Sequence, residues 1–289
     1  MFGPNSYFSD SVRIHSSHRD KEFFDQFKEL RELFTLKFGL EDYDVLFIPG
    51  SATVGIEAIM YSMNYRLKII GNEGHFREQW TSMLKNYLRD ESFPETEMFC
   101  RLESSNSTPF YKENGVVDAV SAFPYYDIPK GTKAFCTCLN KQLASYIGLA
   151  VVCVKRDEWK NFVDEDVCSY LNLARYRKFA EQFQIPSTAP TFIFEHFIKV
   201  LRNLDLNQFR ERIDRVSDLI CSNIPEEYLI GDRRCPVITV KKEAFGDGSL
   251  AEKYNLYGYW LGKPTYRIFT YTSPYEDYEE FIRQYKAQC

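Results

Sequence analysis

Val45-Leu46-Phe47-Ile48-Pro49-Gly50-Ser51-Ala52-Thr53-Val54-Gly55-Ile56 changes character twice. Four apolar residues in a row predict a short buried strand, and Pro49 to Thr53 reads as a tight turn of small residues. From residue 54 to 63 the apolar side chains Ile56, Ile59, Met60 and Met63 recur at helical spacing, which predicts a helix. A strand, a hydroxyl-bearing turn and a helix N-terminus aim backbone N–H groups and the helix dipole at one point, where an anion would sit. Taken alone, an ordinary capped helix accounts for the same residues. No GxGxxG or GxxxxGK[ST] pattern is present, which weakens dinucleotide and P-loop readings.

Outward from this unit the alternation continues. Strands are expected at 67–70, 116–120, 134–136 and 149–154, with a helix over 76–88. Strands alternating with helices predict an α/β layer structure with a mostly parallel sheet. In such sheets the chemistry gathers beyond the carboxyl ends of the strands. After residue 168 the pattern changes. Helices are expected over 169–183, 191–204 and 206–220, the first two separated by the breaker Ile185-Pro186-Ser187-Thr188-Ala189-Pro190. Strands are expected at 237–240, 257–261 and 266–270. A last helix should follow Ser273-Pro274, a cap and first-turn pair. These elements describe a smaller α+β unit. The chain therefore divides into an N-terminal segment 1–14, a large domain 15–199 and a small C-terminal domain 200–289.

At 289 residues, with 44% hydrophobic and 27% charged residues, the chain is long enough for more than one core and is neither fibrous nor disordered. No apolar run is long enough to span a bilayer. The opening Met1-Phe2-Gly3-Pro4-Asn5-Ser6 lacks the basic and apolar regions of a signal peptide, so a cytoplasmic protein is expected. Eight cysteines, several inside apolar stretches, suit buried reduced thiols better than a disulfide framework. Without a CxxC pair, no metal site is expected. The net charge of −5, with basic residues scattered, argues against a nucleic-acid binder.

Two further residues carry potential chemistry. Asp118 ends the apolar run Val116-Val117-Asp118-Ala119-Val120-Ser121, and a carboxylate there is costly to bury without a cationic or hydrogen-bonding partner. Lys141, in Leu139-Asn140-Lys141-Gln142-Leu143, lies between two apolar strands. A buried lysine has a lowered pKa and attacks aldehydes. Singly, a turn-capping aspartate and a solvated loop lysine are the commoner explanations.

In order, however, these features resemble the class V aminotransferases of fold type I, which bind pyridoxal 5'-phosphate. Gly3-Pro4 resembles the family's opening turn, and His18-Arg19-Asp20-Lys21-Glu22-Phe23 the start of its first long helix. Gly50-Ser51-Ala52-Thr53 is similar to the Gly-Ser-Gly-Thr phosphate turn, and Val117-Asp118-Ala119-Val120-Ser121 to the segment holding the cofactor's ring nitrogen. Asn140-Lys141 resembles the attachment site, Thr188-Ala189-Pro190 a stretch whose threonine reaches the neighbouring subunit's phosphate, and Tyr266-Arg267-Ile268 the segment whose arginine holds the substrate carboxylate. The closest flavour is that of 2-aminoethylphosphonate–pyruvate and alanine–glyoxylate aminotransferases. Ala52 stands where the family has glycine, Leu139 where it has serine and Phe269 where it has glycine, and the stretch from Trp80 to Glu103 is short.

The resemblance implies a mostly parallel, seven-stranded-type sheet between helices, and a homodimer with shared sites. It implies ping-pong transfer of an amino group between an amino acid or amine and a 2-oxo acid through a Lys141 Schiff base. Ser51, Ala52, Thr53, Asp118, Ser121, Asn140 and Thr188 would contact the cofactor. Phe76 would stack on its ring, with His75 the second choice for that place or a substrate contact, and Arg267 would bind substrate. A lyase or decarboxylase acting on an amino-acid conjugate, and a non-catalytic binding protein on the same fold, are the rival readings.

Overall fold

A computed structural model describes residues 18–164 and 167–288 of the chain. Helix α1 (Lys21–Phe38) leads into strand β1 (Tyr43–Pro49), α2 (Ala52–Ser62), β2 (Arg66–Ile69) and α3 (His75–Leu84). Next come β3 (Glu95–Cys100), the short pair β4 (Leu102–Glu103) and β5 (Thr108–Pro109), then β6 (Val116–Asp118), β7 (Ala134–Cys138) and β8 (Leu149–Lys155). Helices α4 (Leu173–Ala180), α5 (Phe192–Asn203) and α6 (Leu206–Cys221) follow. The chain closes with β9 (Leu229–Ile230), β10 (Val237–Lys241), α7 (Ser249–Lys253), β11 (Thr265–Phe269) and α8 (Tyr275–Gln288). Gly3-Pro4 and Cys289 lie outside the described residues.

The central sheet has the order β1-β8-β7-β6-β3-β2. It is mostly parallel, as expected, with six strands among the described residues. β2, β3, β6 and β7 pair in parallel, while β8 runs antiparallel to both β7 and β1. The reversal has a simple cause. Residues 139–148 alone join β7 to β8, too short a connection for the crossover that parallel neighbours need. Every strand except β8 therefore ends at the same edge of the sheet. The turns after β1, β2, β3, β6 and β7 all open there, and Lys141 lies in the last of them.

Burial explains which residues became strands. All of β7 and all of β8 up to Val154 are buried, the continuous apolar run expected of a sheet covered on both faces. Helix α2 lies against β7 and β8 at Gly55, where a Cβ would come within 2.6 Å of Cys136 Sγ and 3.0 Å of the Ala150 Cβ. On α1, Phe23 and Phe27 pack against Phe194 of α5 at ring-centroid distances of 4.9 and 5.9 Å. A second apolar cluster joins Val216 and Ile220 of α6, Val237 and Ile238 of β10, Ile268 of β11 and Phe281 and Ile282 of α8. It also takes in Leu102 and Ala122 from the first half. There the antiparallel sheet β11-β10-β9 has α6 and α8 packed with it.

Three expectations need correction. β3 was not anticipated: Glu95 and Glu97 disguise a strand whose Thr96, Met98 and Phe99 are buried. Residues 257–261 do not form a strand. Only Tyr257 bridges to Arg267, and Gly258, at φ +106°, turns the chain away. Finally, α4 is shorter than the helix expected over 169–183.

Candidate active site

The Lys141 turn is firmly built. Leu139 is fully buried beneath it, and the Ala144 and Ser145 N–H groups donate to the carbonyls of Lys141 and Leu139, each at 2.9 Å. Lys141 Nζ donates to Ser121 Oγ at 2.8 Å and lies 5.5 Å from the centroid of the Phe76 ring. Gln142, a buried neighbour marked by no sequence motif, fastens this turn to the one after β6. Its Nε2 donates to the Ser121 carbonyl at 2.6 Å, and its Oε1 accepts from the Tyr125 N–H at 3.0 Å.

Asp118, at the end of β6, is buried. Its Oδ2 accepts from Trp80 Nε1 at 2.8 Å and from Cys100 Sγ at 3.4 Å, and its Oδ1 accepts from the Val120 N–H at 3.0 Å. Burial pushes this carboxyl's pKa above the ordinary range. The Val120 N–H, the Trp80 N–H, the charge of Lys141 and the Cys100 thiol pull it partly back. Each of the three hydrogen-bond donors is neutral.

Phe76 and Trp80 stand one turn apart on the same face of α3, with ring centroids 6.1 Å apart. The start of α3 is held by Glu103, a residue that sequence reading passed over. The Glu103 side chain is 1% exposed. Its Oε2 accepts from the N–H groups of Phe76 (3.0 Å) and Arg77 (3.1 Å), and its Oε1 from Ser105 N–H and Oγ. A carboxylate at a helix N-terminus satisfies unpaired donors and suits the dipole. Gly74 permits the approach, since a Cβ there would overlap the Glu103 side chain. A run of Glu-Ser-Ser after an unrecognised strand gave no local signal of this.

A cavity of about 560 Å³ gathers Phe76, Asn140, Lys141 and Arg267 on its walls. Arg267 comes from β11. Its guanidinium lies 4.6 Å from the centroid of the Tyr257 ring, and burial pulls its pKa down while Tyr257 and Glu103 oppose that. His75, by contrast, is exposed and borders a separate depression with Glu57, Glu78 and Gln79. Ser51, Ala52 and Thr53 form the head of α2 at the same sheet edge. They are not part of the cavity wall, and Ser51 is exposed. Thr188 is also exposed and borders a third depression with Arg175 and Tyr176. The fold thus joins Phe76, Asp118, Ser121, Asn140, Lys141 and Arg267 into one neighbourhood and leaves His75 and Thr188 outside it.

No family model matches the chain, and no curated protein matches it. Solved structures do. A phosphoserine aminotransferase from Cytophaga hutchinsonii superposes with a TM-score of 0.77 over 94% of this chain and 91% of that one, at 17% identity. An alanine–glyoxylate aminotransferase from Nostoc sp. gives 0.77 over 98% and 94%, at 16% identity. A phosphoserine aminotransferase with bound pyridoxal phosphate, from Trichomonas vaginalis, gives 0.70 over 94% and 90%, at 12% identity. The fold is the aminotransferase fold. The match extends over 90–94% of each of these chains.

Proposed function

We propose that this chain is a pyridoxal-phosphate-dependent aminotransferase that moves an amino group between an amino acid or amine and a 2-oxo acid in ping-pong fashion. The observation that carries the reading is the placement of Lys141 Nζ, against Ser121 Oγ and the Phe76 ring, in a cavity whose other wall holds Arg267. The donor set suits the cofactor. A half-buried amine can bond its aldehyde, a buried carboxylate held by neutral donors can face its ring nitrogen, an aromatic ring can cover one face, and a helix N-terminus lies at the same sheet edge for its phosphate.

Bound there, pyridoxal phosphate supplies the aldehyde that captures an amine and a ring that accepts the electron pair left on the substrate carbon. The chain's own residues do the rest. Asp118 keeps the ring nitrogen protonated, and Trp80 and Val120 hold its two oxygens in place. Phe76 covers one ring face, fixed by the Glu103 cap beneath it. Ser51, Ala52 and Thr53 at the head of α2 take the phosphate, with Asn140 bracing the attachment turn. Lys141 removes and returns the proton at the substrate α-carbon, while Ser121 Oγ orients its amine. Arg267 receives the substrate carboxylate in two-point fashion. His75 is a rim residue in this scheme. Thr188, exposed, keeps the role the resemblance implies, a contact to the cofactor phosphate of a neighbouring subunit, which requires a homodimer with shared sites. The free thiols among the described cysteines support a cytoplasmic setting.

Supplying an amino acid and a 2-oxo acid to the cofactor-loaded protein, and following both products, tests this. Turnover that requires the 2-oxo acid supports it. Product release without one would move the reaction to the lyase class, and no turnover with any pair would leave a binding protein.

A further inference from the structure

The wall of the cavity addresses a question the reaction class leaves open, the substrate's side chain. Besides Lys141 and Arg267, its described lining has no charged residue, acidic or basic. Lys141 is committed to the chemistry and Arg267 to the α-carboxylate. A second negative charge, such as a side-chain carboxylate or phosphate, would meet no cation from the described lining. Burying one unpaired is strongly unfavourable. Beside the neutral polar Ser104, Asn140, Asn255 and Thr272, the cavity offers apolar and aromatic side chains, among them Leu256, Tyr257, Trp260, Leu261 and Phe269. All but Phe269, the last residue of β11, arrive on the turn between α7 and β11, the segment whose sequence mimics a strand.

Two of these residues are unusual. Trp260 is 68% exposed and Leu261 59% exposed, although both border the cavity. The Trp260 ring has its polar edge already bonded, Nε1 to Asn255 Oδ1 at 2.9 Å. A large apolar surface held in place beside a carboxylate-binding arginine is complementary to a molecule with one acid group and one apolar group.

Resting on the function proposed above, we propose that the site takes 2-amino acids with aromatic or large apolar side chains. In the reaction such a substrate loses its amino group and its α-hydrogen. Its α-carbon is oxidised by two electrons and leaves as the corresponding 2-oxo acid. Water supplies the carbonyl oxygen of that product; a second 2-oxo acid is reduced by the same two electrons, takes up the amino group and the balancing protons and releases its carbonyl oxygen as water, so one amino acid is consumed for each one formed.

The test has two arms. In the first, the cofactor-loaded protein is given L-phenylalanine, L-leucine, L-aspartate, L-glutamate or O-phospho-L-serine, and loss of the cofactor absorption and formation of the 2-oxo product are followed. Phenylalanine and leucine react fastest. Trp260→Ala lowers kcat/KM for phenylalanine by on the order of tenfold, the value of burying part of a large apolar side chain, and lowers the ratio of phenylalanine to aspartate turnover. Faster reaction of aspartate, glutamate or phosphoserine would overturn the proposal. The second arm uses no turnover. Binding of 3-phenylpropionate and of succinate is measured by calorimetry, with and without Arg267→Ala. Tighter binding of 3-phenylpropionate, weakened by Arg267→Ala, supports the side-chain assignment even if the protein fails to load the cofactor, a failure that would count against the reaction class alone. Equal or tighter binding of succinate overturns it.

Discussion

At the scale of single residues, Asp118 holds the greatest tension. It is a buried carboxyl whose direct donors are all neutral, with its pKa raised by burial. In the cofactor-free protein the folded state binds its proton more tightly than the unfolded chain does. Its contribution to stability is therefore fully present below the unfolded pKa and is lost as pH rises through the folded one. Asp118→Asn removes that pH-dependent loss. In melting curves of cofactor-free protein, its Tm relative to the parent should be higher at pH 8 than at pH 4. An equal difference at both values would show that Asp118 does not titrate in this window. Arg267 makes a second residue-scale prediction. Arg267→Lys keeps the charge but loses the planar fork, so KM for amino acids should rise by about tenfold or more, the loss of one charge-assisted hydrogen bond. An unchanged KM would separate Arg267 from the substrate. Of these residues Asp118 and Lys141 stood out in the sequence as charged groups in apolar contexts, and Arg267 through the resemblance of its segment. Glu103 and Gln142 were not, because their partners are backbone groups brought near only by the fold.

At the scale of elements, the site depends on how α2 and α3 are seated. Gly55→Ala places a methyl against Cys136 Sγ. Overpacking of this kind costs about 1–3 kcal/mol, readable as a lower denaturation midpoint. Glu103→Gln keeps the shape but removes the charge that accepts from the start of α3. It should destabilise the protein by about 2 kcal/mol, the range for hydrogen bonds to charged groups, and loosen Phe76 over Lys141. A variant with parental stability and parental cofactor affinity would contradict that role. Of the legible strands, β1, β6, β7 and β8 appear as apolar runs because most of their residues are buried, and β2, β10 and β11 were legible as well. β3 pairs on both sides, as β6, β7 and β8 do, yet its glutamates broke the run. Tyr257 to Leu261 misled in the opposite direction, since aromatic residues that favour strands serve there as a cavity wall.

At the scale of the whole molecule, one sheet edge organises everything. Because every strand but β8 ends there, residues distant in sequence converge without any local motif linking them. Phe76, Asp118, Lys141 and Arg267 come from four different connections or strands. Their order along the chain was readable, but the cavity that unites them was not. Exposed Thr188, outside that cavity, leads to a prediction about assembly: sedimentation should give twice the chain mass of 34.0 kDa, and a monomer with full activity would remove the case for shared sites.

The central claim is that Lys141 carries the cofactor, and reductive trapping tests it most directly. The protein is incubated with pyridoxal phosphate, treated with borohydride, digested and analysed by mass spectrometry, with Lys141→Ala alongside. The expected result is a visible absorption band that borohydride abolishes, a cofactor adduct on the peptide containing Lys141, and neither in the variant. An adduct on other lysines only, or the same band in Lys141→Ala, would contradict the assignment.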